Sequence, residues 1–318
     1  MPKITIITLT FNRSLFLRRT IESVLSQTFE DFEYIIIDNG STDDTQSVIN
    51  QYMAKDNRIF VITRSQNDIS SHGFLHIQSI LNTRNTLYNM HIDDDDYMET
   101  NAVDTLYNLI TENNADIAAI GSKWVFKDGT TKDKYVFNDT YVFSRIDAMT
   151  ELLKREKFNS APGGKLYRKF LYENINIPTV NQFRDIYREY RVFNDINKMV
   201  VTGKPLYYFY RHDSNLSGLD TIEQITPKKM LEHLDANKLR TQWLTEKMPE
   251  ISNYVFYCEL SFMISLYERI HRLQVKSCFY IANEMRAVLL QNKQFLAECR
   301  FLKEQEKDTL RFISIPCQ

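Results

Sequence analysis

The chain is poor in the residues that mark fibrous, disulfide-rich and nucleic-acid-binding proteins. Its 318 residues include only 8 glycines and 7 prolines, which excludes a collagenous or low-complexity segment. The net charge of −2 argues against nucleic acid as a partner, because phosphate binding needs a basic surface. The 4 cysteines all lie late in the chain and lack CxxC spacing, so we expect reduced thiols and no zinc site.

Long hydrophobic runs are also missing. The N-terminal stretch MPKITIITLTFNR has neither an extended apolar region nor a small-residue cleavage site, so it does not resemble a signal peptide. The most apolar later stretch, residues 254–270, contains Glu259 and becomes charged too early to span a bilayer. We therefore predict a cytoplasmic protein, with peripheral contact at the inner face of the cell membrane left open.

Short β-rich segments alternate with helical patterns through the first half of the chain. The pattern predicts strands at residues 4–9, 34–37, 59–63, 87–92 and 116–120, with helices at 15–27 and 44–53. A helix at residues 182–193 then precedes strands at 198–201 and 206–210. This alternation predicts an α/β fold with a doubly wound, mostly parallel sheet and a Rossmann-like nucleotide-binding half.

The last third of the chain reads differently, because from about residue 221 the pattern is helical only. We therefore predict a catalytic domain at residues 1–220 and a helical extension at 221–318. The catalytic domain divides into a nucleotide-sugar-binding half, 1–100, and an acceptor-side half, 101–220. An apolar stripe in the extension predicts packing on the catalytic domain or a homodimer, since it lacks the strongly basic face of a membrane helix. Its residues are Val255, Leu260, Phe262, Met263, Leu266 and Ile270.

Two acidic clusters directly follow predicted strands. Asp38 ends the apolar run YIII, and four consecutive aspartates, Asp93–Asp96, follow NMHI. Open α/β sheets bind ligands at the carboxyl ends of their strands. Carboxylates are the hard oxygen ligands that Mg²⁺ or Mn²⁺ prefers, and a cation would offset their mutual repulsion. Although the acidic run alone would fit a solvated loop, the two clusters together predict a site for a metal-bound diphosphate.

The segment ITIITLTFNRSLFLRRTIESVLSQTFEDFEYIIIDNGSTDDT, residues 4–45, resembles the opening of the inverting family 2 glycosyltransferases, which have a GT-A fold. Residues 163–178, 183–193 and 204–218 resemble the acceptor-side half of that family. The resemblance implies transfer of a sugar from a nucleotide-diphosphate donor, which we take to be a UDP-sugar. The implied acceptor is a hydroxyl of a glycan or lipid-linked glycan in bacterial surface polysaccharide synthesis.

The metal motif of the family, an apolar residue followed by Asp-x-Asp-Asp, matches residues 92–96. By this resemblance Asp95 is the direct ligand of Mn²⁺ or Mg²⁺, and Asp93 contacts the ribose or the water shell of the metal. Asp96 would lie on the donor-sugar side. Asp94 occupies the variable position and is expected to be dispensable. His212 is a further candidate ligand, with a structural role equally consistent with its position.

The nucleotide is expected between Asp38 and a wall formed by Leu9, Thr10, Phe11 and Asn12. Asn39 replaces the second Asp of many members, and Lys165 and Arg211 are candidates to reach phosphate or sugar. Many members also have Ala-Arg-Asn-x-Gly, whose basic residue contacts the nucleotide. Between Asn67 and Leu87 the chain offers no counterpart, and the two histidines there, His72 and His76, fit a solvated loop or helix better than a site role.

Asp185 matches the catalytic base of the family, the Asp of a Glu-Asp pair at the start of a helix. Arg184 replaces the Glu, and a neighbouring cation favours an ionised carboxylate. A helix first-turn charge is the alternative interpretation of Asp185, while Glu189 and Asp195 are weaker candidates for the base. Two other functions stay open: a catalytically inactive nucleotide-sugar-binding or assembly subunit, and a sugar nucleotidyltransferase. The segment TLTFNRS lacks the Gly-rich phosphate loop expected of the latter.

Overall fold

The computed structural model describes residues 1–67, 71–173, 175–176, 184–212, 219 and 221–314, with the side chains of residues 71–76 and 184 outside that description. The side chains of His72 and His76 therefore lie outside the described residues. Contacts divide the chain into two compact units, residues 1–213 and 214–318. The domain boundary that the sequence predicts, between residues 220 and 221, stays a prediction.

The first unit is built on strands that alternate with helices. Its strands are β1 (Ile4–Thr10), β2 (Phe32–Asp38), β3 (Ile59–Thr63), β4 (Tyr88–His91), β5 (Tyr97–Met98), β6 (Ile117–Phe126), β7 (Thr131–Asp133), β8 (Thr140–Ser144), β9 (Lys165–Arg168) and β10 (Lys198–Arg211). Its helices are α1 (Ser14–Leu25), α2 (Thr45–Met53), α3 (Ser71–Thr83), α4 (Ala102–Glu112), α5 (Arg145–Lys154), α6 (Phe170–Glu173) and α7 (Arg184–Asn194).

The strands form one sheet in the order β3-β2-β1-β4-β9-β6-β10-β5, with β7 on β6 and β8 on β10. The pairs β3-β2, β2-β1, β1-β4 and β6-β10 are parallel. The chain runs outward from β1 to β3 and returns to β4 on the other side of β1. The predicted α/β fold with a doubly wound, mostly parallel sheet is confirmed.

Burial on both faces explains the apolar character of the central strands. Every residue of β2 is buried, as expected where helices cover both sides of a parallel sheet. On α1, Leu17, Ile21 and Val24 recur at helical spacing and pack into the same core. Each fully buried side chain of this size contributes about 1.5–3 kcal/mol, which fixes α1 beside the carboxyl edge of the sheet.

The prediction of two separate strands at residues 198–201 and 206–210 is wrong, because both segments belong to β10. They form one strand that pairs with β6 throughout, with register shifts between Val201 and Pro205 and between Pro205 and Tyr207. Gly203 allows close backbone approach here, because a Cβ on it would lie 2.2 Å from the Phe137 carbonyl oxygen. A bulge therefore accommodates the glycine and the proline that suggested an interruption.

The second unit is helical in its described part, as predicted. Its helices are α8 (Pro227–Lys247), α9 (Ser252–Arg272), α10 (Phe279–Gln291), α11 (Lys293–Glu298) and α12 (Glu304–Ser314). Helix α8 begins with a Thr226 side chain that accepts from the Lys229 amide at 3.4 Å, followed by Pro227. The apolar core includes Leu260, Ile264 and Ile270.

Cys258, Cys278 and Cys299 are free thiols, and Cys317 lies outside the described residues. In the described ranges of the chain, no helix combines the length and the apolar character that a membrane span requires.

Candidate active site

The loops after β1, β2 and β4 meet at the carboxyl edge of the sheet. Thr10, at the end of β1, pairs in register with Asp38 at the end of β2. On the other side of β1, Ile7 pairs with His91, the last residue of β4, and the four aspartates follow. Both acidic clusters therefore border β1 at the point where the strand order reverses. Open α/β sheets bind ligands at such a point.

Asp38 is almost completely buried, yet one of its carboxylate oxygens lacks a partner. The residue is 1% exposed, and its Oδ1 accepts a hydrogen bond from the Ser41 amide at 2.9 Å. Among the described residues, nothing donates to the buried Oδ2. Leaving a buried acceptor unpaired costs about 1–3 kcal/mol, so Oδ2 is available to a ligand that brings an N–H or O–H.

Asn12 joins the loop after β1 to the loop after β2. Its backbone is left-handed, with φ 54°, and its amide donates to Ser41 Oγ at 2.9 Å. Its Oδ1 accepts from the Thr42 amide at 2.8 Å. The predicted nucleotide contact thus has its side chain engaged within the protein. The other residues of the predicted wall, Leu9 and Phe11, are half-buried, and Thr10 is buried.

Asn39 brings a basic residue to the same edge. Its side chain is 3% exposed, and its Oδ1 accepts from Arg64 Nη1 at 3.1 Å. The left-handed Gly40, with φ 80°, lets residues 64–66 approach, because a Cβ on it would lie 3.0 Å from the Gln66 amide nitrogen. Arg64 follows β3 directly, and no sequence motif marks it as a site residue.

The four aspartates, residues 93–96, form the aspartate loop, which α1 holds from behind. Thr20 Oγ1 donates to the carbonyl oxygens of Asp94 and Asp96 at 3.0 and 2.7 Å. Arg19 Nη2 donates to the carbonyl oxygen of Asp95 at 2.8 Å. These contacts fix the backbone of the loop at Asp94, Asp95 and Asp96.

The carboxylates of Asp94 and Asp95 have different neighbours. Asp94 Oδ1 lies 3.8 Å from Arg13 Nε. Asp95 Oδ2 lies 2.8 Å from His212 Nε2, and the ring of His212 stacks on Phe16 with centroids 4.7 Å apart. The structure therefore brings the predicted direct ligand Asp95 beside His212, the further candidate, although the two are 117 positions apart in sequence.

Asp96 turns into the protein. It is 3% exposed, its Oδ2 accepts from the Tyr207 hydroxyl at 2.8 Å, and its Oδ1 accepts from the Tyr210 amide at 3.0 Å. Both oxygens are thus engaged by β10. The predicted contact of Asp96 with the donor sugar stays a prediction, and the contacts present give it a structural role.

The aspartate loop concentrates negative charge. Asp93 is exposed on the side of the cleft described below; partial desolvation by its neighbours, and then the charges of Asp95, Asp185 and Asp94, raise its pKa above the ordinary value. Burial and the charge of Asp95 also raise the pKa of Asp94 to about 7. Burial, followed by Asp93 and Asp95, raises the pKa of Asp96 well above its ordinary value. A bound cation would relieve this repulsion.

The donor set fits such a cation. Within the described part of the chain, no three acidic, histidine or cysteine side chains converge as a complete metal centre. Mg²⁺ at nucleotide sites, however, is commonly bound by one or two carboxylates together with substrate phosphates. Adjacent ligands at a bond length of roughly 2.1 Å lie about 3 Å apart in an octahedron. The 2.8 Å separation of Asp95 Oδ2 and His212 Nε2 matches that spacing.

Asp185, the predicted base, lies in the first turn of α7. Its side chain is 50% exposed, and Arg188 Nη2 lies 3.5 Å from its Oδ1. It contributes to a cleft whose lining residues are Ile7, Leu9, Ile77, His91, Ile92, Asp93, Pro162, Asp185 and Arg188. The structure therefore brings the predicted base and the first predicted motif aspartate to one cleft.

Glu189 is placed very differently from Asp185. Its side chain is 1% exposed, and its Oε1 lies 2.7 Å from Arg188 Nη2. Its Oε2 accepts from the Tyr167 hydroxyl at 3.1 Å. An acceptor hydroxyl has no open path to this carboxylate. Asp195, the other candidate, is exposed and accepts from the Asn194 amide at 2.8 Å. Of the three carboxylates, only Asp185 lines the cleft.

Two further predicted site residues face other partners. Lys165 is 2% exposed, and its Nζ donates to the Ala161 carbonyl; burial lowers its pKa to about 8. Arg211 is half-buried, with its Cζ 5.4 Å from the centroid of the Trp124 ring. Their predicted contacts with phosphate or sugar stay predictions.

His91, which no sequence motif marks, also lines the cleft. It is 6% exposed, its Nε2 has no hydrogen-bond partner among the described residues, and burial lowers its pKa to about 3. It is therefore a neutral imidazole beside Asp93 and Asp185. His91 ends β4, one residue before the apolar residue of the metal motif, and a histidine at the end of an apolar strand gave no signal of this placement.

Comparisons with known proteins identify the family. The profile described as Glycosyl transferase family 2 matches residues 5–175. GlyA, a glycosyltransferase of Streptococcus pneumoniae serotype 4, is 26% identical over 223 residues, which are 68% of this chain and 31% of GlyA. TarP of Staphylococcus aureus, a poly(ribitol-phosphate) β-N-acetylglucosaminyltransferase, is 30% identical over 181 residues, 56% of this chain and 52% of TarP. The chain thus spans about a third to a half of these relatives.

Solved structures share the fold. S. aureus TarS 1–349 in complex with UDP-GlcNAc has a TM-score of 0.63 with 17% identity, covering 96% of this chain and 83% of that one. At this identity the likeness concerns the fold alone. Since the family profile covers more than half of the 318 residues, the protein belongs to glycosyl transferase family 2 and is a glycosyltransferase with a GT-A fold.

Proposed function

We propose that the protein transfers a sugar from a UDP-sugar to a hydroxyl of a bacterial surface glycan by a metal-dependent, inverting displacement. The cleft that Asp93 and Asp185 share is the observation that carries the proposal. An inverting transfer needs a base on the face of the sugar opposite the leaving diphosphate. The binding of UDP-GlcNAc by TarS and the poly(ribitol-phosphate) acceptor of TarP support the choice of donor and acceptor class.

The donor nucleotide would occupy the edge beside β1. Uracil carries an imide N–H, which the unpaired Asp38 Oδ2 can accept. The contacts of Asn12 with Ser41 and Thr42 hold this wall rigid. Asp38 Oδ2, which would accept the hydrogen bond, is therefore already oriented before the nucleotide binds. Binding would therefore remove an unsatisfied buried group instead of creating one.

Asp95 and His212 would hold Mn²⁺ or Mg²⁺ on the diphosphate, and Asp93 would orient the ribose or the metal-bound water. When bound, the ion supplies Lewis-acid stabilisation of the leaving diphosphate. The protein residues perform the remaining work, since the contacts of Arg19 and Thr20 fix the loop that presents the ligands.

Asp185 would take the proton of the acceptor hydroxyl as that oxygen bonds to the anomeric carbon. The bond from this carbon to the diphosphate oxygen breaks at the same time, and its electron pair leaves with the nucleoside diphosphate. Because attack and departure occur on opposite faces, the anomeric configuration inverts. Arg188, which contacts both Asp185 and Glu189, would orient the base from the buried side of α7.

Thermal stabilisation by nucleotides tests the donor and the metal together. A ligand at 100 times its Kd stabilises the native state by about 2.7 kcal/mol, so a screen of UDP- and GDP-sugars with and without Mn²⁺ should show a clear shift. We expect stabilisation by a UDP-sugar that needs the metal and is lost in Asp95→Ala. NMR of the product should show the inverted anomer. A retained anomer, or no response to any uridine nucleotide, would overturn the proposal.

A further inference from the structure

Three cations converge on one half-buried aromatic ring, that of Trp124. Lys134 Nζ lies 4.5 Å from the centroid of the Trp124 ring, Arg211 Cζ lies 5.4 Å from it, and Lys132 Nζ lies 5.7 Å from it. Trp124 belongs to β6, which pairs with β10 and with β7. Arg211, which ends β10, directly precedes His212, the second proposed metal ligand.

The cluster has little negative charge to balance it. Lys132 and Lys134 flank Asp133, and the alternation of a strand turns Asp133 to the other side, where it lies 3.5 Å from Lys123 Nζ. Glu151 is buried and accepts from the amides of residues 156 and 157. Across the described residues, no carboxylate lies within 4.0 Å of the three cations around Trp124.

Positive charge continues from this cluster toward the cleft. Burial, then the charges of Arg155, Arg211 and Lys132, lower the pKa of Lys134. The charge of Arg155 also lowers the pKa of Lys165, whereas the charge of Asp185 raises it. Lys132, Lys134 and Arg211 around Trp124, together with Arg155, whose charge acts on Lys134, are named the cationic band.

Arg155 itself occupies an unusual backbone position. It follows the last turn of α5 with φ 62°, a left-handed conformation that glycine or asparagine normally takes. Its side chain is exposed, and no ion pair to it occurs within the described chain. A long cationic side chain therefore stands where the backbone favours a glycine.

We propose that this cationic band binds a polyanionic acceptor, a glycan or polyol chain that carries phosphodiesters or carboxylates along its length. The inference rests on the proposed function, because it names the class of acceptor that reaches Asp185. The donor diphosphate would be held at Asp95 and His212, and Lys132, Lys134 and Arg155 lie outside the predicted donor contacts. Trp124 adds an aromatic face between the charges, suited to stacking against a sugar or polyol unit.

Binding can be measured without turnover, because the chain has only 2 tryptophans. In a Trp243→Phe background, Trp124 reports on the band by its fluorescence. The probes are an oligo(ribitol phosphate), an oligoglucuronate, a neutral malto-oligosaccharide, and vesicles that contain an anionic phospholipid. We expect saturable binding of one or both soluble anions, a dependence on salt, and no response to the neutral oligosaccharide. The two anionic probes distinguish phosphate from carboxylate.

Two changes and one control make the test specific. The double variant Lys132→Gln/Lys134→Gln should weaken anion binding roughly tenfold and flatten its salt dependence, because the exposed charge of Lys132 and the half-buried charge of Lys134 are both lost. Arg155→Gly should weaken binding while the melting temperature stays equal or rises, since glycine suits a left-handed backbone. Lys55→Gln is the matched control: Lys55 Nζ also lies over a ring, 5.6 Å from the centroid of Tyr52, but outside the band.

UDP-sugar binding, followed by thermal shift, should be the same in all of these variants. If the wild-type protein does not bind a UDP-sugar, the proposed function fails, whereas the proposal for the cationic band is tested separately by anion binding. Equal binding of the neutral oligosaccharide, unchanged anion affinity in the double variant, or binding of vesicles but of no soluble anion would each overturn the cationic band as an acceptor site.

Discussion

Asp185 and Glu189 lie one helical turn apart on α7, and their substitutions should produce opposite results. Glu189 is buried, with its carboxylate contacting Arg188 at 2.7 Å and the Tyr167 hydroxyl at 3.1 Å. Removing one partner of a buried ion pair costs about 3–5 kcal/mol, because the other charge stays buried. For a unit of this size, Glu189→Gln should lower the melting temperature by roughly 6–20 °C.

Asp185→Asn should leave the melting temperature nearly unchanged, because half-exposed ion pairs contribute about 0–1 kcal/mol. Turnover should fall by roughly 10²–10⁴-fold, the usual range for a lost general base. Donor affinity should survive, since its expected contacts lie around Asp38 and Asp95. Slow hydrolysis of the donor by water should also persist.

The assay pairs circular-dichroism melts with transfer rates and donor calorimetry on wild type and the two variants. The reasoning would be refuted by full turnover in Asp185→Asn, or by a Glu189→Gln protein that keeps its melting temperature but loses transfer. The second outcome would make Glu189 the base. Arg188→Lys is a useful companion, because it keeps the charge but loses the fork that contacts both carboxylates.

Three further predictions concern the metal, the base pocket and a buried charge. Asp95→Ala should abolish metal-dependent nucleotide binding, while Asp94→Ala should leave it largely intact; equal losses in a Mn²⁺ titration would show that the motif register is wrong. Asp38→Asn should weaken UDP binding by roughly tenfold or more in calorimetry, because the buried acceptor that faces the ligand is lost; unchanged affinity would remove Asp38 from the nucleotide site. Burial lowers the pKa of Lys165 from 10.5 to about 8, so the unfolded chain binds more protons between these values and stability should rise with pH across that window. The gain should be about 3 kcal/mol and should vanish in Lys165→Met, as pH-dependent melts would show; an equal slope in both proteins would contradict it.

The opening β1-α1-β2 unit could be predicted because its information is local. Strand and helix periodicities differ, so neighbouring residues predict each element. Asp38 directly follows an apolar run, so the same local pattern predicts that Asp38 lies at the carboxyl edge of the sheet. The bounds differed by one or two residues. The Lys198–Arg211 strand was harder, since Gly203 and Pro205 usually interrupt strands and only the pairing with β6 shows that a bulge accommodates them.

The contacts of the site could not be predicted, because their partners are distant in sequence. Asp96 and Tyr207 are 111 positions apart, and the Arg19 contact with the aspartate loop spans 76. The strand β7 also gave no signal, since its three residues are polar and exposed. Lys132 lies in β7 and Lys134 directly follows it. Only the pairing of β7 with β6 shows that both lysines lie around Trp124.

The bulge in β10 decides which residue faces the aspartate loop. A shift of one residue along a strand exchanges its two faces, so the register beyond Val201 separates Arg211, on the tryptophan, from His212, on the carboxylate of Asp95. One inserted residue between Val201 and Tyr207 would carry Arg211 into the place of His212. The guanidinium of this arginine, which is always charged, would then neutralise the aspartates in place of the proposed metal ion. A single inserted residue would therefore convert a metal-dependent transferase into a metal-independent one.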